Sequence, residues 1–448
     1  MTTTITAQTP ARLVFDKDGD VDQHTMDDLV DAIRTAAVTD LFVFSHGWNN
    51  DEAGATSLYE RWFALLAAQI EPGRSVGYVG IRWPAQLWRD EPIPEFSTAP
   101  AAGNQGGAGL DEKPVIQAGA PTIDPGQLAD LKDMFGKGSK ELDAIAGLLA
   151  QPPTSETVNQ LFTAMREFSS AVGVESNDGE TDPSKEPGML DEQRPPDDVF
   201  TKFADGLVQA GVDFGDGGGE LGLGDVAGKL LHGAKEAVRQ LTYWQMKNRA
   251  GVIGQKGLGP VLDRLADEFP NLRIHLLGHS FGARLVSFAL AGIRESGPSP
   301  VKSVTLLEGA YSRFALAHDL PFGGHGALDG KVARVDGPLT VCFSSHDRAL
   351  SVFYPLASAA VGDDKSGAED PLARWRAMGS LGAFDVAPQM LGTVGTPYPF
   401  QVGQILNLDS SDVVIAGDSP SGAHSDIFHA ELAWVAASAA GLSGPGAS

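Results

Sequence analysis

Gly278-His279-Ser280-Phe281-Gly282 sets a serine midway between two glycines. The residues before it, Ile274-His275-Leu276-Leu277, read as a strand, and the stretch after it, from Ala283 to Leu290, reads as a helix. A hydroxyl that is to act as a nucleophile between strand and helix must be lifted into the open on a very tight turn. The backbone there is strained, and the positions two before and two after must be small. Gly278 and Gly282 meet that need. The helix behind the serine aims its N-terminal N–H groups and its dipole at the negative charge that develops in acyl transfer. The pentapeptide alone is a weak pattern, because a glycine-tolerant strand–helix turn would also carry it. The flanking strand and helix supply the context that the chemistry requires.

Acyl transfer needs three further parts. A second loop must offer a backbone N–H to the oxyanion. His46-Gly47-Trp48, after the apolar strand at 40–45, fits this, with Trp48 N–H as one donor and Phe281 N–H as the other. Read by itself, the same stretch is an ordinary turn with a buried Trp. An acid must follow. Asp347 lies at the tip of the strand LTVCF, just before a helix, so it also reads as that helix's N-cap, and the two roles are compatible. Glu308, which ends the strand SVTLLEG, is the alternative acid. A base must swing in from a loop. His424 lies in the loop GDSPSGAHSDIF, whereas His429 reads as part of the closing helix, so His424 is the favoured base and His429 the alternative. Asp426 reads as the first turn of that helix. His279 packs beside the serine turn and His346 neighbours the acid. His24, His232, His275, His318 and His325 show no metal-ligand spacing, and no metal site is expected.

The elements that must hold these groups alternate along the chain. Strands are expected at 11–15, 40–50 (ending in a polar loop), 75–84, 273–282, 303–311, 338–347, 404–411 and 412–417. Helices are expected at 24–37, 55–70, 127–135, 140–150, 155–172, 230–251, 259–269, 283–293, 348–360 and 425–440. The strands are apolar throughout, the pattern of a parallel sheet covered by helices on both faces, hence an α/β fold. Residues 91–240 break the alternation. They are Pro/Gly-rich with a few helical patches and hold 26 acidic against 11 basic residues, which reads as an insertion of mobile loops around helices between core halves at 1–90 and 241–448. DKDGDVD (16–22) lacks the glycine spacing of a calcium loop and reads as an Asp-Gly hairpin turn between the first strands. Trp83 and Trp88 read as acyl-pocket lining or as core.

Composition narrows the class. With 448 residues, of which 42% are apolar, a large core is available. A net charge of −25 opposes binding to nucleic acid or anionic lipid, both of which need a positive face. The single cysteine, Cys342, excludes an internal disulfide. The first residues lack a basic start followed by an apolar run, and no apolar stretch reaches 18 residues. A cytoplasmic protein without stable membrane insertion is the expectation.

FSHGWNN, GIRWP, LLGHSFGARL, SSHDRAL and AHSDIF, in this order, resemble the α/β-hydrolase superfamily of serine esterases and lipases. They span most of residues 40–90 and 245–435. The HGWNN loop with a downstream RWP is similar, more narrowly, to bacterial and fungal hydrolases of unassigned substrate. The resemblance implies the α/β-hydrolase fold and the chain order serine, acid, histidine. It implies attack by Ser280 on a carbonyl, with His424 as base, Asp347 orienting it, and the amides of Trp48 and Phe281, beside Gly47, holding the oxyanion. No cofactor is required, and the partner is a small-molecule or lipid-like ester. The same machinery serves a thioesterase, an amidase or an acyltransferase, and a catalytically silent scaffold could retain the fold. The insertion at 91–240 departs from the family, whose caps more commonly follow the sixth strand. It is a candidate lid.

Overall fold

The computed structural model describes residues 5–48, 50–85, 88, 116–117, 120–172, 188–190, 194–209, 212–213, 223–321, 323–353, 377–417 and 422–444. In chain order the strands are β1 (Ala11–Val14), β2 (Asp40–Ser45), β3 (Val76–Arg82), the two-residue β4 (Ile116–Gln117) and β5 (Val212–Asp213), β6 (Arg273–His279), β7 (Val301–Leu307), β8 (Leu339–Phe343), β9 (Pro388–Met390) and β10 (Ile405–Asp409). β4 pairs with β5. The other eight form one sheet in the order β1-β3-β2-β6-β7-β8-β10-β9, with every pairing parallel. The helices are α1 (Gln23–Ala36), α2 (Glu52–Ala67), α3 (Pro125–Met134), α4 (Ser139–Leu149), α5 (Ser155–Val172), α6 (Pro196–Gln209), α7 (Leu223–Val252), α8 (Gly259–Glu268), α9 (Phe281–Gly292) and a closing helix, Ala430–Ala439. This is an α/β fold. No helix among the described residues is long and apolar enough to cross a membrane.

Alternation within the strands shows why both faces need cover. Along β2, Leu41 and Val43 join one apolar cluster with α1, α8 and α9, while Phe42 and Phe44 join another with α2 and the closing helix. Each fully buried side chain of this size contributes about 1.5–3 kcal/mol by leaving water. β2 and β6 carry the site because chain order reverses between them. From β2 the chain steps to β3 on one side, and from β6 to β7 on the other. At such a reversal the loops leaving the carboxyl ends of the two strands part and leave a crevice. In register, Ser45 of β2 lies beside Gly278 of β6.

Several expectations change. The turn at 16–22 is present: Asp16 Oδ1 accepts from the amides of Asp18 and Asp20, and Phe15 bridges Val21. It leads into α1 rather than a second strand, because Asp22 caps that helix by accepting from Thr25 N. Residues 412–417 form no strand. Val413 and Val414 N–H turn back to Ser410 O, and Ile415 and Ala416 N–H bond the Asp426 carboxylate. The expected helix at 348–360 is a π-turn over Ala349–Phe353, and its remainder lies outside the described residues. Within 91–240, α3 to α6 share their core with α7: Leu131, Phe168 and Phe200 join the cluster that holds Val238 and Leu241. The junction expected at 240 falls inside α7.

Candidate active site

Ser280 stands at the exit of β6 with φ 56° and ψ −123°, in the left-handed region that non-glycine residues avoid. Such a conformation costs about 1–3 kcal/mol and persists only where its surroundings enforce it. Here Ser280 N–H donates to Leu307 O at 3.1 Å, and Ser280 O accepts from Ala283 and Ala310 N–H, each at 3.1 Å. Both motif glycines are sterically required. A Cβ on Gly278 would lie 2.5 Å from Ala283 Cα, and one on Gly282 2.0 Å from Ser45 O and 2.6 Å from His46 O. The second contact brings the start of α9 against the loop that leaves β2.

His424 completes a relay. Its Nδ1 lies 2.6 Å from Asp347 Oδ2 and its Nε2 2.9 Å from Ser280 Oγ. A carboxylate only accepts, so Nδ1–H donates to Asp347 and bare Nε2 accepts from the serine hydroxyl. Asp347, His424 and Ser280 are 0%, 3% and 3% exposed. Asp347 Oδ1 accepts from Leu350 N–H at 2.9 Å, so the residue is both cap and histidine partner. The loops carrying acid and base are zipped together: Asp347 bridges Gly422, and Ala423 N–H donates to His346 O. His279 Nε2 lies 2.8 Å from the His424 carbonyl and fixes the base's backbone from the nucleophile's own turn. Burial, then the neighbouring His424, holds His279 well below the usual imidazole range, which makes Nε2–H the donor.

Two expected residues take other places. Glu308 is buried at the end of β7, and its carboxyl faces Asp347 rather than the histidine. Burial first, then the Asp347 carboxylate, pushes the Glu308 carboxyl well above its ordinary range. Its Oε2 has no hydrogen-bond partner among the described residues. His429 precedes the closing helix instead of lying within it and pairs with Asp426 at 2.8 Å. Asp426 lies outside that helix, its carboxylate serving the 415–416 amides. The His346 side chain is exposed, and its carbonyl rather than its ring serves the site.

The described residues of the loop after β2 are packed into the interior. Burial drives the His46 pKa down to about 3, so its ring is neutral. It stacks on Trp83 at 5.5 Å and its Nδ1 lies 2.8 Å from Gly47 O. Trp83 Nε1–H donates to His46 O, and Trp88 Nε1–H donates to Thr242 Oγ1, so both tryptophans belong to the packed interior. The Trp48 and Phe281 rings are 6.4 Å apart, and Tyr243 of α7 packs on both, at 4.9 and 4.5 Å. Tyr243 thus joins the two candidate oxyanion loops, a contact that no spacing in the sequence signals. Trp48 Nε1–H is buried with no partner among the described residues, a donor placed beside the site and in want of an acceptor.

A cleft of about 490 Å³ opens elsewhere, lined by Arg273, Arg294, Lys302 and Arg334. Its cations are already engaged, Arg273 with Asp40, Arg294 with Asp267, Lys302 with Asp336 and Arg334 with the Arg294 carbonyl. No family model matches the chain, and no curated protein and no solved structure matches it.

Proposed function

We propose that the protein is a serine hydrolase of the α/β-hydrolase type that cleaves carboxylic esters. The observation that carries this reading is the continuous relay Asp347–His424–Ser280, at 2.6 and 2.9 Å, ending on a serine at φ 56°. Ser280 Oγ bonds to the ester carbonyl carbon as its proton passes to His424 Nε2. The carbonyl π electrons move onto oxygen, which the amides of Trp48 and Phe281 receive. Each such donor is worth roughly 10²–10³-fold in rate. Collapse breaks the bond to the alkoxy group, which leaves with the proton from His424. Water then enters by the same steps in reverse and frees the acid and Ser280. The scheme uses protein groups alone, on a small-molecule or lipid-like ester.

Glu308 fits this scheme as a neutral neighbour. Two adjacent buried carboxyl groups do not both ionise, so Glu308 holds a proton and donates it towards Asp347. The histidine is left a single charged partner.

The test is hydrolysis of a panel of p-nitrophenyl esters of graded acyl length, beside thioester and anilide analogues. Turnover of esters by the wild type, lost in S280A and H424A, supports the proposal. Preference for thioester or anilide redirects it to that bond. Turnover retained in S280A ends it.

A further inference from the structure

The segment between β7 and β8 carries a second histidine–carboxylate cluster, apart from the relay. The described residues of 315–330 fold back on themselves: Gly326 N–H donates to Ala317 O, Leu328 N–H to Ala315 O, and Asp329 N–H to Gly326 O. The fold-back needs glycine at Gly326, where a Cβ would sit 2.2 Å from Phe314 O. It brings together three side chains that are 7 and 4 positions apart in the chain, His318, His325 and Asp329. One ligand atom from each lies within 4.8 Å of the others. His318 Nδ1 is 3.0 Å and His325 Nδ1 3.8 Å from the same oxygen, Asp329 Oδ2. The imidazole rings are 4.8 Å apart, and the His318 carbonyl lies against His325 Nδ1.

These spacings suit one small ion. Two ligands held 2.0–2.1 Å from a zinc ion at a tetrahedral angle lie about 3.3 Å from each other. The two Nδ1–Oδ2 separations bracket that value, and the ion requires the exposed His325 ring to turn its Nδ1 from the His318 carbonyl towards it. Imidazole and carboxylate together select zinc and its neighbours in the first transition row, whereas calcium and magnesium prefer all-oxygen sets. Both histidines are exposed, so an ion can reach them and water can fill the remaining positions. The one thiol that could compete, on Cys342, is buried in the sheet.

We propose that His318, His325 and Asp329 bind one divalent transition ion, zinc foremost, which clamps the two limbs of the 315–330 fold-back. Bound at Nδ1, the ion replaces the hydrogen bond between His318 and Asp329, and the neutral imidazole carries its N–H on Nε2. The site is independent of the proposed ester chemistry and stands or falls separately.

The experiment uses the full chain without a histidine tag, stripped with chelator. Zn²⁺ is titrated against a chromophoric chelator, and Co²⁺ is followed by its visible absorption. The expected result is one equivalent bound per chain, with a rise in Tm. The H318A/H325A variant should lose both, and D329N, which removes a direct ligand, should weaken uptake by at least the ~10-fold that loss of an outer-shell partner costs. All three positions are exposed or half-exposed, and circular dichroism of each variant checks the fold. Absence of saturable uptake by the wild type, or uptake that the double variant retains, overturns the proposal.

Discussion

His424 and His318 each present Nδ1 to an aspartate, at 2.6 and 3.0 Å, yet the two pairs sit in opposite surroundings. The His424–Asp347 side chains are 4% and 0% exposed, and those of His318–Asp329 are 73% and 28% exposed. Burial makes the first pair directional. Water cannot replace either partner, so Nδ1 is committed to the carboxylate and Nε2 to Ser280. Exposure makes the second exchangeable: water, a proton or a metal ion can take the carboxylate's place, and the pair itself adds little to stability. One side-chain chemistry thus gives a proton relay at the strand ends and an ion trap on the surface. His429–Asp426, at 2.8 Å with 27% and 17% exposure, stands between them.

The contrast breaks most sharply at the relay. H424A should lower kcat for ester hydrolysis by about 10⁶-fold and D347N by about 10⁴-fold. H429A should stay within a few-fold of the wild type, because His429 turns to Asp426 rather than to Ser280. Comparable losses in H424A and H429A would dissolve the distinction between the buried and half-buried pairs.

The frame around the relay comes next. In G282A a Cβ would meet Ser45 O at 2.0 Å and His46 O at 2.6 Å, and both oxygens are backbone. The start of α9 must then shift, costing about 1–3 kcal/mol, read as a lower urea midpoint. An unchanged midpoint would show that α9 and the loop after β2 can separate freely.

A pH-dependent effect separates Glu308 from the acid it faces. The folded chain keeps a proton on Glu308 that the unfolded chain releases near pH ~4.3. Stability therefore falls as pH rises above that value, by up to about 1.4 kcal/mol per pH unit until the folded-state pKa is passed. E308Q removes this slope while keeping a hydrogen-bond donor towards Asp347. Its Tm should exceed that of the wild type increasingly as pH rises above 5, and parallel Tm curves would mean that Glu308 carries no proton.

The smallest effect belongs to His429. Its hydrogen bond to Asp426 raises its pKa, so its contribution is complete below about pH 6.5 and is lost as pH climbs through the folded-state value. H429A should cost about 1 kcal/mol or less at pH 6 and less still at pH 9, measured by urea unfolding.

Much of this arrangement could be read from local sequence. Seven of the eight strands of the sheet follow from short apolar runs, β9 (Pro388–Met390) being the exception, and Gly278, Ser280 and Gly282 announce the turn because its sterics are local. Asp347 and His424 could be placed because each sits in a loop at a strand end. What escaped depends on contacts between distant segments. Tyr243 reaches Trp48 and Phe281 only once α7 crosses the strand ends. Glu308 and Asp347 meet because β7 and β8 are neighbours in the sheet. His318, His325 and Asp329 have no motif spacing, since backbone turns around Gly326 bring them together. The strand expected at 412–417 failed for a similar reason: Asp426, from beyond the next loop, takes the amides that a neighbouring strand would have used.

The most direct measurement is labelling of the native chain with a fluorophosphonate, followed by peptide mapping of the adduct. A serine activated by the buried relay should be modified at Ser280 alone, with labelling abolished in S280A and H424A and retained in H429A. A folded wild type that takes up no label, or an adduct on any other residue, would contradict the assignment of Ser280 as the nucleophile.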